Sequence, residues 1–352
     1  MKINLNRKDL EKFYHLLDIK EVNLEYSKMC LDFVNSNILT SYSDLRSLKN
    51  SFFNFLEINE KENKVFINDY KIEFKKIIPN LVLNNPYYKN IKINPSAFQN
   101  LSFSNATYKQ YQPFIYDDIS IDEADYKEII KLGYFEQEIT YPSLNENNTT
   151  WMSLIPHEIL TMEKTINAVK GNVLVLGLGM GYFAYMISNK EDVSSITIIE
   201  NNLNLINFFN YHLLPQFKNK QKIKIEFADA LTYLGKTNEN FEYIFLDTYH
   251  NAFDGILHYL KIKQFENTCQ NSTFLYWIEN TLISLLRRIA LDCFSFLIVK
   301  NFNNSKYQNL IFDKIFDKLL EIIKNQNIRT YNEIHDFLTN ENLKRIAKFI
   351  NI

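Results

Sequence analysis

The 352-residue sequence lacks an excess of charge of either sign. Its 39 Lys and Arg residues against 41 Asp and Glu give a net charge of −2, and the pI is about 6.3. Electrostatic binding of nucleic acid needs clustered basic charge. The balance therefore disfavours a general phosphate-binding surface, and we do not expect a nucleic-acid partner.

Cysteine is scarce as well, and long apolar runs are absent. Cys30, Cys269 and Cys293 are isolated, odd in number and not at metal-ligand spacing, which indicates reduced thiols and no metal site. No stretch approaches the roughly 18–20 apolar residues of a membrane span. Charges interrupt the apolar residues of "MKINLNRKDLEKFYHLL", unlike a signal peptide. We therefore expect a soluble, cytoplasmic protein that does not contact a membrane.

The residue pattern divides the chain into four regions. Residues 1–60 place apolar residues three and four apart in "DLEKFYHLLDIKEV" and "YSKMCLDFVNSNIL", as helices do, and Ser43 and Asp44 could cap a further helix. Residues 61–150 form a small α+β region with a predicted hairpin in "KVFINDYKIEFKKI", a short helix ending near Gly133 and a closing loop, "NENNTT". Residues 301–352 are polar and helical, and form either an appendage or the contact of a homo-oligomer.

Residues 151–300 alternate strands with helices. Five short segments are rich in β-branched or aromatic residues: "NVLVLG" (172–177), "SITIIE" (195–200), "KIKIEF" (222–227), "FEYIFLD" (241–247) and "STFLYWIE" (272–279). The alternation predicts an α/β fold with a doubly wound, Rossmann-like, mostly parallel sheet. "KIKIEF" alternates more strictly than its neighbours, which places it nearer an edge.

Glycine is also rare, and its distribution is informative. Of seven glycines, three stand within five residues: Gly177, Gly179 and Gly181 follow a buried strand and open a helix. A tight turn or a closely approaching ligand needs residues without Cβ, and a helix N-terminus offers free N–H groups. The G-x-G-x-G spacing departs from the dinucleotide pattern and suits a nucleoside without a pyrophosphate. A strand-to-helix turn that binds nothing is the alternative.

Acidic residues end three successive predicted strands. Glu200, Asp229 and Asp247 would therefore lie together at the carboxyl edge of a parallel sheet, where ligands bind. A carboxylate there can accept both hydroxyls of a ribose, and another can accept a hydrogen from an adenine amino group. Each residue could instead cap the helix that follows it, and for Asp229 that alternative is strong.

With this glycine turn and these acidic strand ends, the sequence resembles a known family, the class I S-adenosylmethionine-dependent methyltransferases. Within that superfamily it is most similar to the spermidine synthase (aminopropyltransferase) branch. The resemblance covers roughly residues 130–280, and the matching segments are "PHEIL" (156–160), "NVLVLGLGMG" (172–181), "VSSITIIE" (193–200), "ADALTYL" (228–234) and "FEYIFLD" (241–247).

The resemblance implies a cofactor, S-adenosylmethionine or its decarboxylated form, and a role for each matching residue. The three glycines would wrap its methionine and ribose part, and Glu200 would bind the ribose hydroxyls. Asp229, with the backbone of Ala230, would bind adenine. Asp247 would help to deprotonate an attacking amine, and His157 and Glu158 would edge the cofactor and amine pocket.

Two positions depart from the aminopropyltransferase pattern. Met180 replaces an Asp within the glycine turn, and His250 replaces an acidic residue three positions after Asp247. A polyamine needs carboxylates to replace its water shell, so the polyamine function is weakened while the nucleoside site stays intact. We therefore favour a methyltransferase acting on a small-molecule or protein acceptor. An aminopropyltransferase and a non-catalytic nucleoside-binding module remain the alternatives.

Alkyl transfer needs a nucleophile in line with the departing sulfur and, where required, a base. Asp247, Tyr249 and His250 stand where such a base would lie. For His250 the alternative is a helix-start residue facing water, and for His157 it is a packing histidine. We also expect Glu200 to face solvent at its strand end, so that Glu200→Ala would abolish cofactor binding with little loss of stability.

Overall fold

The computed structural model describes residues 2–147, 149–299 and 309–352, and it shows a mixed α/β chain. The helices are α1 (Arg7–Ser36), α2 (Leu45–Phe55), α3 (Lys64–Asp69), α4 (Asn80–Leu83), α5 (Pro86–Asn90), α6 (Pro156–Ala168), α7 (Tyr182–Ser188), α8 (Leu203–His212), α9 (Ala230–Leu234), α10 (Ala252–Lys263), α11 (Glu279–Ile298), α12 (Leu310–Lys324), α13 (Tyr331–Phe337) and α14 (Asn340–Ala347).

The strands are β1 (Phe74–Lys76), β2 (Ser96–Phe98), β3 (Leu101–Tyr108), β4 (Phe114–Ile115), β5 (Ser120–Ile121), β6 (Glu128–Ile129), β7 (Leu132–Tyr134), β8 (Ile139–Glu146), β9 (Thr149–Ser153), β10 (Gly171–Leu176), β11 (Val193–Glu200), β12 (Ile223–Phe227), β13 (Tyr243–Leu246) and β14 (Thr273–Tyr276). Short 3₁₀ turns lie at Leu214–Gln216, Lys220–Lys222 and Gln264–Asn267.

The helices predicted in the first region are confirmed. Two predicted segments form one continuous helix, α1, whose buried residues recur three or four positions apart from Phe13 to Phe33. Asn6 begins this helix by accepting the N–H of Asp9 at 2.9 Å. Asp44 caps α2, as predicted, by accepting the N–H of Ser47 at 2.7 Å. Local capping and periodicity were therefore sufficient for these elements.

The hairpin predicted in "KVFINDYKIEFKKI" is wrong, because its first half is helix α3 and only β1 is a strand. Phe66 and Tyr70, four residues apart, both pack on Tyr26 of α1, with ring centroids 5.8 and 5.3 Å from that ring. A four-residue spacing matches one helical turn. The packing against α1 therefore decides the conformation of a segment whose pattern fits both structures.

The short helix predicted to end near Gly133 is also wrong, since this segment forms β5, β6 and β7. Asn23 of α1 is buried there and donates its amide to the carbonyl of Tyr126 at 2.8 Å. It also accepts the N–H of Glu128 at 3.1 Å. These contacts satisfy backbone groups that a helix would pair internally, and Tyr126 adopts a left-handed φ of 64°.

A four-stranded antiparallel sheet, in the order β2-β3-β8-β9, joins the small α+β region to the rest of the chain. The predicted loop "NENNTT" is mostly strand, because its first two residues end β8 and its last two begin β9, which continues to Ser153; residue 148 lies outside the described part. The antiparallel sheet therefore extends past the boundary predicted near residue 150, and β9 leads directly towards α6.

A five-stranded parallel sheet has the order β12-β11-β10-β13-β14. All five predicted strands are confirmed, and β12, the strand of "KIKIEF", lies at the predicted edge. Its central strand is deeply buried, with Val173 to Leu176 at most 3% exposed. β11 and β12 lie on one side of β10, and β13 and β14 on the other. Such a reversal of strand order opens a crevice at the carboxyl ends of the central strands.

The helices predicted after residue 301 are confirmed from α12 onward, and residues 301–308 lie outside the described part. Ile315, Leu319 and Ile323 of α12 are buried, and α12 packs on α11. Arg287 of α11 donates its Nε to the carbonyl of Leu338 at 2.9 Å. This segment therefore packs on its own chain. Within the described residues, no helix is both long enough and apolar enough to cross a membrane.

A partly buried network of ion pairs joins α14 to α10 and α11. Lys263, 4% exposed, lies 2.7 Å from Glu266 and 3.4 Å from Glu279. Lys348 reaches Glu266 at 2.8 Å and Lys344 reaches Glu279 at 2.5 Å. The carboxylates thus join α10 and α11 to the last helix of the chain.

Removing Lys263 is expected to destabilise the fold, because it leaves Glu266 and Glu279 without their most buried partner. We expect Lys263→Met to lower the free energy of unfolding by about 3 kcal/mol. Lys318→Met is the matched control, since Lys318 pairs with Glu321 at 3.2 Å on an exposed helix face. That change should cost less than about 0.5 kcal/mol. Urea denaturation of both variants would contradict the expectation if the losses were equal.

Candidate functional site

The glycine turn between β10 and α7 needs its glycines for reasons internal to the chain. Gly177, Gly179 and Gly181 have φ values of 105°, 51° and 72°. A Cβ on Gly177 would lie 1.9 Å from the carbonyl oxygen of Asp247, and one on Gly181 would lie 2.3 Å from the ring of Phe209. Both are architectural requirements, so the glycine pattern alone does not prove that a ligand binds.

Gly179 differs, because its near neighbour is a side chain that can move. Met152 of β9 places its sulfur 2.5 Å from where a Cβ on Gly179 would stand, and the same sulfur accepts the N–H of Met180 at 3.3 Å. The side chain of Met180 itself is fully buried. Met180 therefore belongs to the core, whereas Met152 covers the turn.

Glu200 ends β11 as predicted, but it does not face solvent. It is 9% exposed, and its carboxylate accepts the N–H groups of Leu178 at 3.0 Å and Asn202 at 2.8 Å. Burial raises the pKa of Glu200, against the opposing effect of these backbone donors. The expectation of a solvent-facing strand end is wrong, since this carboxylate fixes the glycine turn to the strand.

Asp229 caps α9, the structural role named as its alternative. Its Oδ1 accepts both the N–H and the hydroxyl of Thr232, each at 2.8 Å, and the N–H bond lowers the pKa of Asp229. Within the described residues, Oδ2 has no hydrogen bond. Asp229 also lines the cleft beside Ala228 and Ala230. Capping and ligand binding are compatible because they use different oxygens.

Asp247 and Glu158 are two half-buried carboxylates that line the same cleft. Burial, and then the charge of Glu200, raise the pKa of Asp247 to about 7. Burial, and then the charge of Asp247, raise the pKa of Glu158 well above its usual value. In the described part of the chain, neither carboxylate has a hydrogen-bond or ion-pair partner. Half-buried, unpartnered carboxylates of this kind are stabilised by a cationic ligand or by a shared proton.

These residues meet in one cleft of 160 Å³ at the carboxyl edge of the parallel sheet. The predicted site residues that line it are Glu158, Gly177, Gly179, Glu200, Asp229, Ala230, Asp247, Tyr249 and His250. Among the described residues that line the cleft, none is a lysine or an arginine. The cleft is therefore acidic and suits a positively charged ligand.

Two predicted residues lie outside this lining. Gly181 begins α7 and packs on Phe209. His157 packs its ring edge-on against the indole of Trp277, with centroids 5.8 Å apart. Burial lowers the pKa of His157 to about 4. This histidine is therefore neutral at physiological pH. That agrees with a packing role, the alternative that the sequence left open for it.

Tyr249 and His250 line the cleft, but their polar groups are engaged elsewhere. The Tyr249 hydroxyl donates to the carbonyl of Trp277 at 2.6 Å, and burial raises the pKa of Tyr249 well above its usual value. His250 is exposed at the mouth, with its Nδ1 2.9 Å from Asp254. Of the three predicted catalytic residues, Asp247 alone presents a half-buried carboxylate without a side-chain partner within the described residues.

Sequence reasoning missed several lining residues: Trp151, Met152, Asn201, His258 and Trp277. The chain has only two tryptophans, and both line this cleft. The Trp151 ring contacts the His250 ring with centroids 3.8 Å apart, and this contact forms one wall of the mouth. His258 lies 2.9 Å from the Thr248 hydroxyl. The scarcity of tryptophan was a signal, but nothing local placed the two together.

A second cleft, of 410 Å³, adjoins the first and shares Trp151, Glu200 and Asn201 with it. Its other walls come from the antiparallel sheet, including Leu101 and Leu144, and from the start of α8. A ligand larger than the first cleft can therefore extend past Glu200 into the second.

Comparison with known proteins gives distant similarities in shape only. No protein-family model matches the chain, and no curated protein matches it. A crystal structure described as an O-methyltransferase from Klebsiella pneumoniae is similar at 12% identity and a TM-score of 0.28, over 47% of this chain and 67% of that one. The Trypanosoma brucei PRMT1 enzyme–prozyme complex with AdoHcy is similar at 16% identity and a TM-score of 0.25, over 32% of this chain and 36% of that one. Neither overlap is close enough to assign a family.

Proposed function

We propose that this chain is an S-adenosylmethionine-dependent methyltransferase with a doubly wound, Rossmann-like sheet, and that its acceptor is a small-molecule amine. The observation that carries the proposal is the pair of half-buried carboxylates, Glu158 and Asp247, which have no partner among the described residues and line a cleft without basic lining residues. Both a sulfonium donor and an ammonium acceptor are cations. Each would therefore provide the positively charged partner that these carboxylates lack within the described residues.

The residues of the cleft fit such a donor. Glu200 has further lone pairs for ribose hydroxyls, beyond the two backbone N–H groups that it accepts. The free Oδ2 of Asp229 can accept from an adenine amino group beside the backbone of Ala230. Gly177 and Gly179 leave the turn open to the methionine part, once Met152 shifts. These are the roles that the sequence resemblance implied.

When bound, the donor supplies an electrophilic methyl carbon on a sulfonium, and transfer to a nitrogen lone pair leaves a neutral thioether. The chain must therefore hold the acceptor nitrogen in line and remove its proton. Asp247 lies at the end of β13 with a pKa near neutrality, so that it can take a proton at physiological pH. Glu158 lines the same cleft, and its ionised carboxylate would balance the charge of the ammonium that forms.

One observation favours a second function, aminopropyl transfer from decarboxylated S-adenosylmethionine, as in the spermidine synthase branch. The carboxylate of S-adenosylmethionine itself would enter an acidic cleft in which no described lining residue is Lys or Arg. A decarboxylated donor avoids that repulsion. The departures at Met180 and His250 count against this function, and so we keep methyl transfer first.

Calorimetric titration of the full chain separates these functions. We expect S-adenosylmethionine to bind more tightly than its decarboxylated form and than methylthioadenosine. A reversed order would favour aminopropyl transfer. Tight binding without turnover of any amine would favour the non-catalytic nucleoside-binding module. If none of the three bound, the proposal would fail.

Asp229→Ala and Asp44→Ala form a matched pair for the same titration. Each aspartate caps a helix by accepting a backbone N–H three residues ahead, Asp229 on α9 and Asp44 on α2. Both substitutions should therefore lower Tm slightly and to a similar extent. Only Asp229→Ala should weaken donor binding, by about tenfold, since it alone removes a hydrogen bond to the ligand. Equal affinities in the two variants would place the adenine elsewhere.

A further inference from the structure

Trp277 is held in the cleft wall by three hydrogen bonds. Its indole N–H donates to the Thr161 hydroxyl at 3.0 Å, and its backbone N–H donates to the carbonyl of Leu246 at 3.1 Å. Its carbonyl accepts the Tyr249 hydroxyl at 2.6 Å. The side chain is 6% exposed, yet it lines the cleft. The indole is therefore preorganised beside the unpaired carboxylates.

The residue that follows Trp277 adopts a strained conformation. Ile278 has φ 45° and ψ 41°, in the left-handed region that β-branched residues avoid. It is also buried, so its side chain cannot relieve the strain by moving into solvent. Backbone strain persists where the surrounding structure fixes it, and it is concentrated at functional sites. Here it lies where β14 turns into α11 and sets the position of the tryptophan.

The two tryptophans add aromatic surface to the acidic cleft. This combination suits one class of cation. An indole attracts a cation through its π-face, but it is a poor acceptor for the N–H groups of a primary ammonium. An alkylated ammonium carries its positive charge on C–H groups, which contact aromatic surface without losing hydrogen bonds. Glu158 and Asp247 then balance the charge. Carboxylates alone would have suited a primary amine equally well.

We propose that Trp277 determines acceptor specificity, and that the acceptor is a secondary or tertiary amine whose N-alkyl groups contact the Trp277 indole, with Trp151 as the second tryptophan that lines the same cleft. This inference rests on the proposed function, because it names the substrate class of the same site.

The test uses two cations that differ only in alkylation, methylammonium and tetramethylammonium, titrated calorimetrically into the full chain. Tetramethylammonium cannot be methylated, so that it reports binding alone. We expect it to bind about tenfold more tightly than methylammonium. Trp277→Leu should reduce this preference to less than about threefold, and Trp277→Phe should keep most of it because an aromatic face remains.

Phe274→Leu is the matched control, since Phe274 is a half-buried aromatic residue on β14, three residues before Trp277, and does not line the cleft. It should keep the full preference. An absent preference in the unchanged chain, or an undiminished one in Trp277→Leu, would overturn the inference. If Trp277→Leu does not fold, Trp277→Phe decides, because loss of most of the preference in that variant, which keeps an aromatic face, would also overturn the inference.

Binding of S-adenosylmethionine to the same samples keeps the two proposals apart. A tetramethylammonium preference that depends on Trp277, without donor binding, would support this inference and refute the methyltransferase function. Donor binding without the preference would do the reverse.

Discussion

Asp247→Asn is expected to reduce methyl transfer by about 10³-fold while leaving donor affinity within a few fold. The substitution keeps the size of the side chain but removes the group that accepts the proton. Steady-state kinetics, with donor affinity measured separately by calorimetry, checks both parts. Asp192→Asn is the control, because Asp192 is exposed and directly precedes β11 at the amino ends of the parallel strands. This change should leave turnover unchanged. Turnover within tenfold of the unchanged chain in Asp247→Asn would move the base elsewhere.

The pH dependence follows from the raised pKa of Asp247. Burial first, and the charge of Glu200 second, raise the pKa of this carboxyl to about 7, and only its ionised form can accept a proton. We therefore expect kcat/KM of the unchanged chain to rise with pH to a plateau above about pH 7. Asp247→Asn should lose this rise. A profile with the same midpoint in the variant would assign the titration to another group.

The same pKa shift makes a prediction about stability. Because the folded pKa of Asp247 lies above the unfolded value, its contribution to folding is full below the usual carboxyl pKa and is lost as pH rises through about 7. Asp247→Asn removes this unfavourable ionisation. The variant should therefore be more stable than the unchanged chain at pH 8, by about 1–2 kcal/mol, the usual exchange of stability for activity.

Glu200→Ala is expected to lose both donor binding and stability. Its carboxylate accepts the N–H groups of Leu178 and Asn202, and its removal leaves these buried donors unpaired. We expect the free energy of unfolding to fall by about 2–4 kcal/mol, and donor affinity by about 100-fold with loss of a charged acceptor for the ribose. Urea denaturation and donor titration at pH 7 measure the two effects.

Two further variants sharpen this test. Glu200→Gln retains one acceptor oxygen but turns an amide towards the second N–H donor, so its loss of stability should be intermediate. Glu226→Ala, on the edge strand β12, removes a surface pair with Lys224 at 2.6 Å and should cost less than about 1 kcal/mol. If Glu200→Ala were as stable as Glu226→Ala, the carboxylate would not be fixing the glycine turn.

Local signals in the sequence determined the elements whose form depends on neighbours along the chain. β10 to β14 were visible as β-branched and aromatic segments, and α1 and α2 as periodic segments, with Asp44 placed correctly as a cap. The glycine turn was recognisable because its left-handed φ values exclude other residues locally. The segments around Phe66 and Tyr126 were predicted wrongly. There, contacts with α1, through Tyr26 and Asn23, override a pattern that fits more than one structure.

Only the tertiary structure decided which predicted site residues have free polar groups. Strand ends alone could not show that Glu200 is buried and bonded to the turn, or that Tyr249 donates to Trp277. Nor could they show that the charge of Asp247 adds to burial in raising the pKa of Glu158, since that effect depends on packing between α6 and the end of β13. The sequence determines which groups lie at the carboxyl edge, because each of them follows the end of a strand that the local pattern shows. Their protonation, partners and aromatic walls depend on packing between segments far apart in the chain.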